Sequence, residues 1–157
     1  AQAMDFRTIP LVKDLEHDFG LALIFDDQGR SAVRDKTGRD IGIFFRQEGK
    51  CVFVCAEVDH VDDDDPKQLF QSMLEANMTI GVAHDFHFGL DHSGHQIMIY
   101  QQLRVSDITA ADLVERMDYV AATRDAIGQD IRAALDGNDR VVSGSTQMHE
   151  FGTTIHV

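Results

Sequence analysis

The chain has 157 residues, 43 % of them hydrophobic with ten Phe, and 27 acidic against 14 basic residues give it a formal charge of −13 and a sequence pI near 4.8. That length fits one ordinary domain with a real core, and so acidic a chain makes nucleic acid and anionic membrane poor partners. No apolar run approaches the roughly 18 residues of a membrane helix and no charged-then-apolar leader opens the chain, so the expected compartment is the cytosol.

Ala1, Gln2 and Ala3 precede Met4 and read as an added remnant, with Met4 as the natural start and residues 1–8 as an N-terminal extension. Pro10 sits where a first helical turn tolerates it, Ile9, Val12, Leu15 and Phe19 recur at helical steps, and Gly20 is a good stop. This predicts a short amphipathic helix. From Leu21 the period changes. "LALIF", the turn "DDQG", "RSAVRD", the turn "KTGR", "DIGIFFR", the turn "QEGK" and "CVFVCAEV" predict an antiparallel meander. The last of these strands is apolar on both faces and so belongs in the centre of the sheet.

Cys51 and Cys55 lie in that strand. Four extended steps separate them by roughly 13 Å, too far for a disulfide, and they read as small buried hydrophobes. "HVDDDDP" follows, and it lacks the alternating oxygens, the Gly and the Glu of a calcium loop. The acid run is read as a helix cap through Asp65, with Pro66 opening a second helix, "PKQLFQSMLEANM", whose Leu69, Phe70, Met73, Leu74 and Met78 make a broad stripe.

"AHDFHFGLDHSGH", Ala83 to His95, holds four histidines in two H-x-x-H pairs. The composition of "DHSG" suits a tight hairpin turn with Gly94 at the positive-φ position. Pairing Leu90 with His95 then puts Phe86, Phe88, Ile97 and Ile99 on one apolar face. His87 goes to the other face with Met98 and Tyr100, His92 to the tip, and His84 beyond the strand's start. A zinc site needs three or four ligands meeting at about 2 Å, and these four are scattered, so no metal is expected. "HQIMIYQQLRV" is the next strand, and Thr109 with Asp112 resembles a capping pair. A long helix follows, with Leu113, Met117, Val120, Ile127, Ile131 and Leu135 on one face and Gly137 at its end. The tail 138–157 has no firm periodicity and reads as a mobile end or a short strand near Val141 or Ile155.

The predicted fold class is therefore α+β, a compact single domain with an antiparallel sheet and three helices in the order α-β-β-β-α-β-β-α, spanning residues 9–137. No G-x-S-x-G, P-loop, G-x-G-x-x-G or H-E-x-x-H pattern is present, Ser143 and Ser145 have no evident base, and no cofactor is expected. What remains is a surplus of apolar, Met-rich surface, which in a small acidic domain suggests an interface.

The order and several phrases resemble the class I type III secretion chaperones, the group typified by the Tir chaperone. "LVKDLEHDFGLALIFDDQGRSAVRD" is similar to the family's first helix running into a strand, a D-x-x-G turn and a second strand. "LFQSMLEANM" looks like its leucine-rich, Asn-ended second helix, "GLDHSGHQIMIYQQL" like its hairpin and "ITAADLVERMDYVAATRDAIGQDI" like its closing helix. The similarity spans about Ile9 to Leu135. It implies a homodimer in the bacterial cytoplasm, not an enzyme. Such a protein binds the N-terminal segment of one or more secreted effectors, keeps it extended, and helps present it to the secretion ATPase without hydrolysing ATP itself. By the same resemblance the dimer interface falls on Leu69, Phe70, Met73, Met78, Phe88 and Met98, and effector binding on Ile9, Val12, Phe25, Val33, Ile43 and Phe45; alternation leaves open which of these are core. Two rival readings are a metal-dependent enzyme using His84, His87, His92 and His95, and an adaptor of the same fold with a non-effector partner.

Overall fold

The fold is that of a computed structural model, which describes residues 4–62 and 67–136. Three helices, α1 (Pro10–Phe19), α2 (Lys67–His84) and α3 (Ala110–Leu135), alternate with five strands. These are β1 (Arg30–Arg34), β2 (Asp40–Arg46), β3 (Cys51–His60), β4 (His87–Leu90) and β5 (Gln96–Arg104). The strands lie in the order β1-β2-β3-β5-β4, with antiparallel pairing of β1 to β2, β2 to β3 and β4 to β5. The predicted α-β-β-β-α-β-β-α order holds, and β3, apolar on both faces, is the middle strand. "LALIF" forms no strand. Its Leu23 and Phe25 are instead drawn inward, Phe25 against Phe6 and Phe45 at ring separations of 5.6 and 5.7 Å, so packing of alternate side chains replaces a ladder.

One turn design recurs three times. In "DDQGR", "DKTGR" and "DHSGHQ" the aspartate carboxylate accepts backbone N–H bonds from residues two to five positions on. The glycine N–H, at positive φ, bonds back to the aspartate carbonyl at 2.9–3.2 Å. Asp and Gly are each needed, one as local acceptor and one for the left-handed backbone. The turn at Asp91 is longer than a two-residue loop, because Asp91 N–H bonds to the Gln96 carbonyl at 3.0 Å. The hairpin register is consequently shifted by two from the expected one, with Leu90 opposite Ile97 and Phe88 opposite Ile99. An even shift preserves the faces, so Phe86, Phe88, Ile97 and Ile99 are all buried as expected.

Contacts divide the described residues into two units, 4–55 with Gln102–Val120, and Ala56–Gln101 with 121–136. In the first, Ile9, Leu11, Val12 and Leu15 of the α1 region, Ile41, Ile43 and Phe45 of β2, Val52 and Val54 of β3, and Leu113 and Met117 of α3 form the buried core. Gly20 ends α1 at φ 67° as expected, but Phe19 is exposed. Phe6 reaches into this unit from the segment read as an extension, over Gly29, where a Cβ would lie 2.6 Å from the Phe6 ring. Thr109 and Asp112 form a reciprocal capping pair at 3.2 and 2.8 Å at the start of α3. In the second unit Val58, Leu69, Met73, Ala76, Ile80, Phe86, Ile127 and Ile131 are buried, and Arg132 binds Asp59 through Nε and Nη2. Asp65, Pro66, Gly137, the side chain of Leu135 and the tail lie outside what the structure describes.

Candidate functional site

α2 does not stop near Met78 but runs through His84, because "TIGVAH" contains no breaker strong enough to end it. Gly81 is tolerated there for a packing reason. A Cβ at this position would come within 2.7 Å of the Phe86 carbonyl and 2.9 Å of the His87 ring, so only glycine lets β4 approach this closely. His84 thus ends a helix, and Asp85 turns the chain at φ 57°.

The apolar stripe of α2 is broad because it serves two surfaces. Leu69, Met73, Ala76 and Ile80 face the unit's own core and are buried. Leu74, Met78 and Val82, each one turn further on, stand 69, 76 and 74 % exposed. A row of three such side chains, i, i+4 and i+8 on one helix face, is a surface left largely bare among the described residues. Asn77 lies beside the row and ties α2 to β4. Its Nδ2 donates to the Phe88 carbonyl at 3.1 Å and its Oδ1 accepts the Phe88 N–H at 2.6 Å. β4 ends the sheet, and Phe88 is one of the residues whose backbone groups point outward from it. The amide of Asn77 therefore occupies the place a partner strand would take.

β1 ends the sheet on the other side. The bond from Phe45 N–H to the Gly29 carbonyl, 3.0 Å long, sets the alternation. Ser31 and Val33 address β2, while the backbone groups of Arg30, Ala32 and Arg34 point away from it. Asp26 covers both outward groups of Arg30, its Oδ1 accepting the N–H and its own N–H donating to the carbonyl, each at 2.9 Å. Those of Ala32 and Arg34 have no bond among the described residues. Before this strand, Ile24 is 87 % exposed, and Phe19 is exposed at the end of α1.

The histidines do not converge. His87 lies against Tyr100 at 5.6 Å between rings, His92 is exposed at the turn, and His95 stacks on His60 at 6.0 Å. Among the described residues no group of three or more His, Cys, Asp or Glu is placed to hold a metal, and no helix is long and apolar enough to cross a membrane.

Of the residues assigned to effector binding, Ile9, Val12, Ile43 and Phe45 are buried in the chain's own core, while Phe25 and Val33 are half-buried. Of those assigned to the dimer, Leu69, Met73 and Phe88 are buried, Phe70 and Met98 half-buried and Met78 exposed. Leu74 belonged to the stripe and Val82 lay past the predicted helix end. Continuing the i+4 step from Leu74 through Met78 would have reached it.

No curated protein sequence matches the chain significantly. Its fold is similar to that of solved structures. The ExsC–ExsE complex matches with TM-score 0.63 and 17 % identity, over 76 % of this chain and 89 % of that one. The HopA1–SchA chaperone–effector complex matches with TM-score 0.58 and 16 % identity, over 76 and 91 %. The Yersinia pestis type III secretion chaperone SycH, bound to a stable fragment of YscM2, matches with TM-score 0.55 and 16 % identity, over 76 and 97 %. The model of the Tir chaperone protein (CesT) family matches residues 10–123, and on that span, which runs from the first turn of α1 into α3, the chain belongs to this family.

Proposed function

We propose that the protein is a cytoplasmic type III secretion chaperone that acts as a homodimer. In this reading it binds the N-terminal segment of a secreted effector, keeps that segment extended, and neither catalyses a reaction nor hydrolyses ATP. Family membership supports the class of activity. The solved structures of like fold include a chaperone–effector complex, ExsC with ExsE, and SycH with a YscM2 fragment.

The observation that carries the reading is the uncovered row Leu74, Met78 and Val82. Three large apolar side chains in line on one helix gain free energy when removed from water, and a two-fold contact lets one such row cover another. The dimer surface is accordingly assigned to this row with Phe70 beside it, since Leu69, Met73 and Phe88 are used internally. Effector contacts are assigned to Phe19, Ile24, Phe25 and Val33 and to the open backbone of β1, where an extended segment can add as a strand.

Light scattering at micromolar concentration tests the assembly. The expected mass is twice the 17.6 kDa of the chain, and a strictly monomeric mass overturns the dimer. For the activity, a secreted protein is expected to co-purify from the native bacterium, with its isolated N-terminal segment retaining the binding. A partner held only through a folded domain would overturn the effector reading.

A further inference from the structure

The open edge of the sheet lies in a basic part of an acidic molecule. The hairpin Arg30–Arg46 holds five basic residues, Arg30, Arg34, Lys36, Arg39 and Arg46, against the two acids Asp35 and Asp40. Its local net charge is therefore +3 in a chain of −13. The side chains on β1 alternate by face. Ser31 is buried and Val33 half-buried on the core side, while Arg30, Ala32 and Arg34 stand exposed on the opposite face.

The two arginines of β1 differ in how firmly they are held. Arg34 Nε is 3.7 Å from Asp40 with both side chains largely in solvent, and an exposed pair of this kind contributes little and rearranges easily. Arg30 is fixed by the Asp26 turn, which bonds its Nε at 2.7 Å as well as both of its outward backbone groups. Arg46 is further round the same face, bound to the Gln28 carbonyl at 2.9 Å and lying over the Phe44 ring.

A strand laid on the open part of β1 places its own side chains directly across from those of Ala32, Val33 and Arg34, and such cross-strand neighbours interact pairwise. We propose that the effector strand taken by this edge is acidic. It carries Asp or Glu across from Arg34 and an apolar residue across from Val33, and its backbone pairs with the open groups of Ala32 and Arg34. A second copy of this chain does not fit the edge, because its own β1 would set arginines against arginines. The proposal rests on the chaperone reading and specifies the chemistry of the segment.

The test uses the full chain and two synthetic peptides with a common Val-Thr-Val centre, one flanked on both sides by glutamate, so that one carboxylate faces Arg34 in either strand direction, and the other flanked by lysines. Binding is followed by fluorescence anisotropy near physiological salt. Long-range attraction to a −13 chain would favour the lysine peptide, so generic electrostatics predicts the opposite order. The glutamate peptide is expected to bind about ten-fold tighter, and Arg34→Glu to reverse the preference. Ala32→Pro removes an outward N–H at an edge position that accepts proline and is expected to weaken both peptides. A lysine peptide that binds wild type as well or better overturns the proposal, as does a preference unchanged in Arg34→Glu. Failure of the chaperone reading shows elsewhere, as a wild-type chain that holds no secreted partner's N-terminal segment while the two peptides still rank as stated.

Discussion

Asp91 shows how much local structure a single carboxylate can fix. It accepts bonds from the Ser93 hydroxyl at 2.7–2.8 Å and from the N–H groups of His95 and Gln96 at 3.2 and 3.0 Å. Those bonds, the Ser93 hydroxyl first, hold its pKa below the ordinary 3.8. Asp26 and Asp112 are lowered in the same way, chiefly by the backbone N–H groups of Arg30 and Thr109. A depressed carboxylate contributes stability that is present above its unfolded value and lost as pH falls through its folded value. The melting temperature is therefore expected to drop below about pH 4. Asp91→Ala should lower it at neutral pH and shrink its acid-side fall, as scanning calorimetry across pH would read. The two thiols offer a second check. Burial pushes the Cys55 thiol up to about 11, while Cys51 is half-buried beside Gln47. A thiolate reagent at neutral pH should label Cys51 in the native chain and reach Cys55 only after unfolding; equal native labelling would contradict the burial.

α2 is the element on which most depends, and its sequence has to satisfy a core, a strand edge and a free surface together. The core takes Leu69, Met73, Ala76 and Ile80, the edge takes Asn77 and Gly81, and the surface keeps Leu74, Met78 and Val82. Asn77→Ala leaves the Phe88 N–H and carbonyl without their side-chain partner. The expected loss is about 1–3 kcal/mol in denaturant unfolding. The same variant uncovers the outward groups of a sheet edge, so it should also aggregate more readily on concentration. Asn77→Asp keeps an acceptor for the Phe88 N–H but loses the donor to its carbonyl, and an intermediate stability is expected. Equal stability of all three would show that the edge needs no cover.

At the scale of the whole molecule, the proposed dimer has to form against a net charge of −13 on each chain. Charge repulsion opposes assembly unless apolar contact exceeds it, and the exposed row on α2 is where that contact is available. Met78→Glu puts a charge in the middle of the row without touching the internal core. The expected result is a fall in light-scattering mass from twice 17.6 kDa to 17.6 kDa with the circular dichroism of the fold unchanged. Raising the salt should strengthen the proposed dimer, since screening removes repulsion and leaves the apolar term.

Much of this architecture was legible in the chain itself. Pro10 and Gly20 bound α1, Thr109 and Asp112 start α3, the Asp and Gly of three turns mark where the chain bends into β1 and folds over in two hairpins, and alternation put Phe86 and Phe88 with Ile97 and Ile99. These are short-range matters of backbone preference and periodicity, written in neighbouring residues. The same was not true of which apolar residues are available to a partner. Ile43 and Met78 both read as apolar stripe residues in the sequence, yet one is buried and the other 76 % exposed, because burial depends on what packs from distant segments. The open edge is likewise invisible to periodicity. Asn77 and Phe88 are eleven residues apart, and only their meeting covers the outward groups of Phe88 on β4, while those of Ala32 and Arg34 on β1 have no bond among the described residues. Local sequence thus determined the elements and their faces, and tertiary packing decided which surfaces were left over, since a surface is defined by the contacts that are missing.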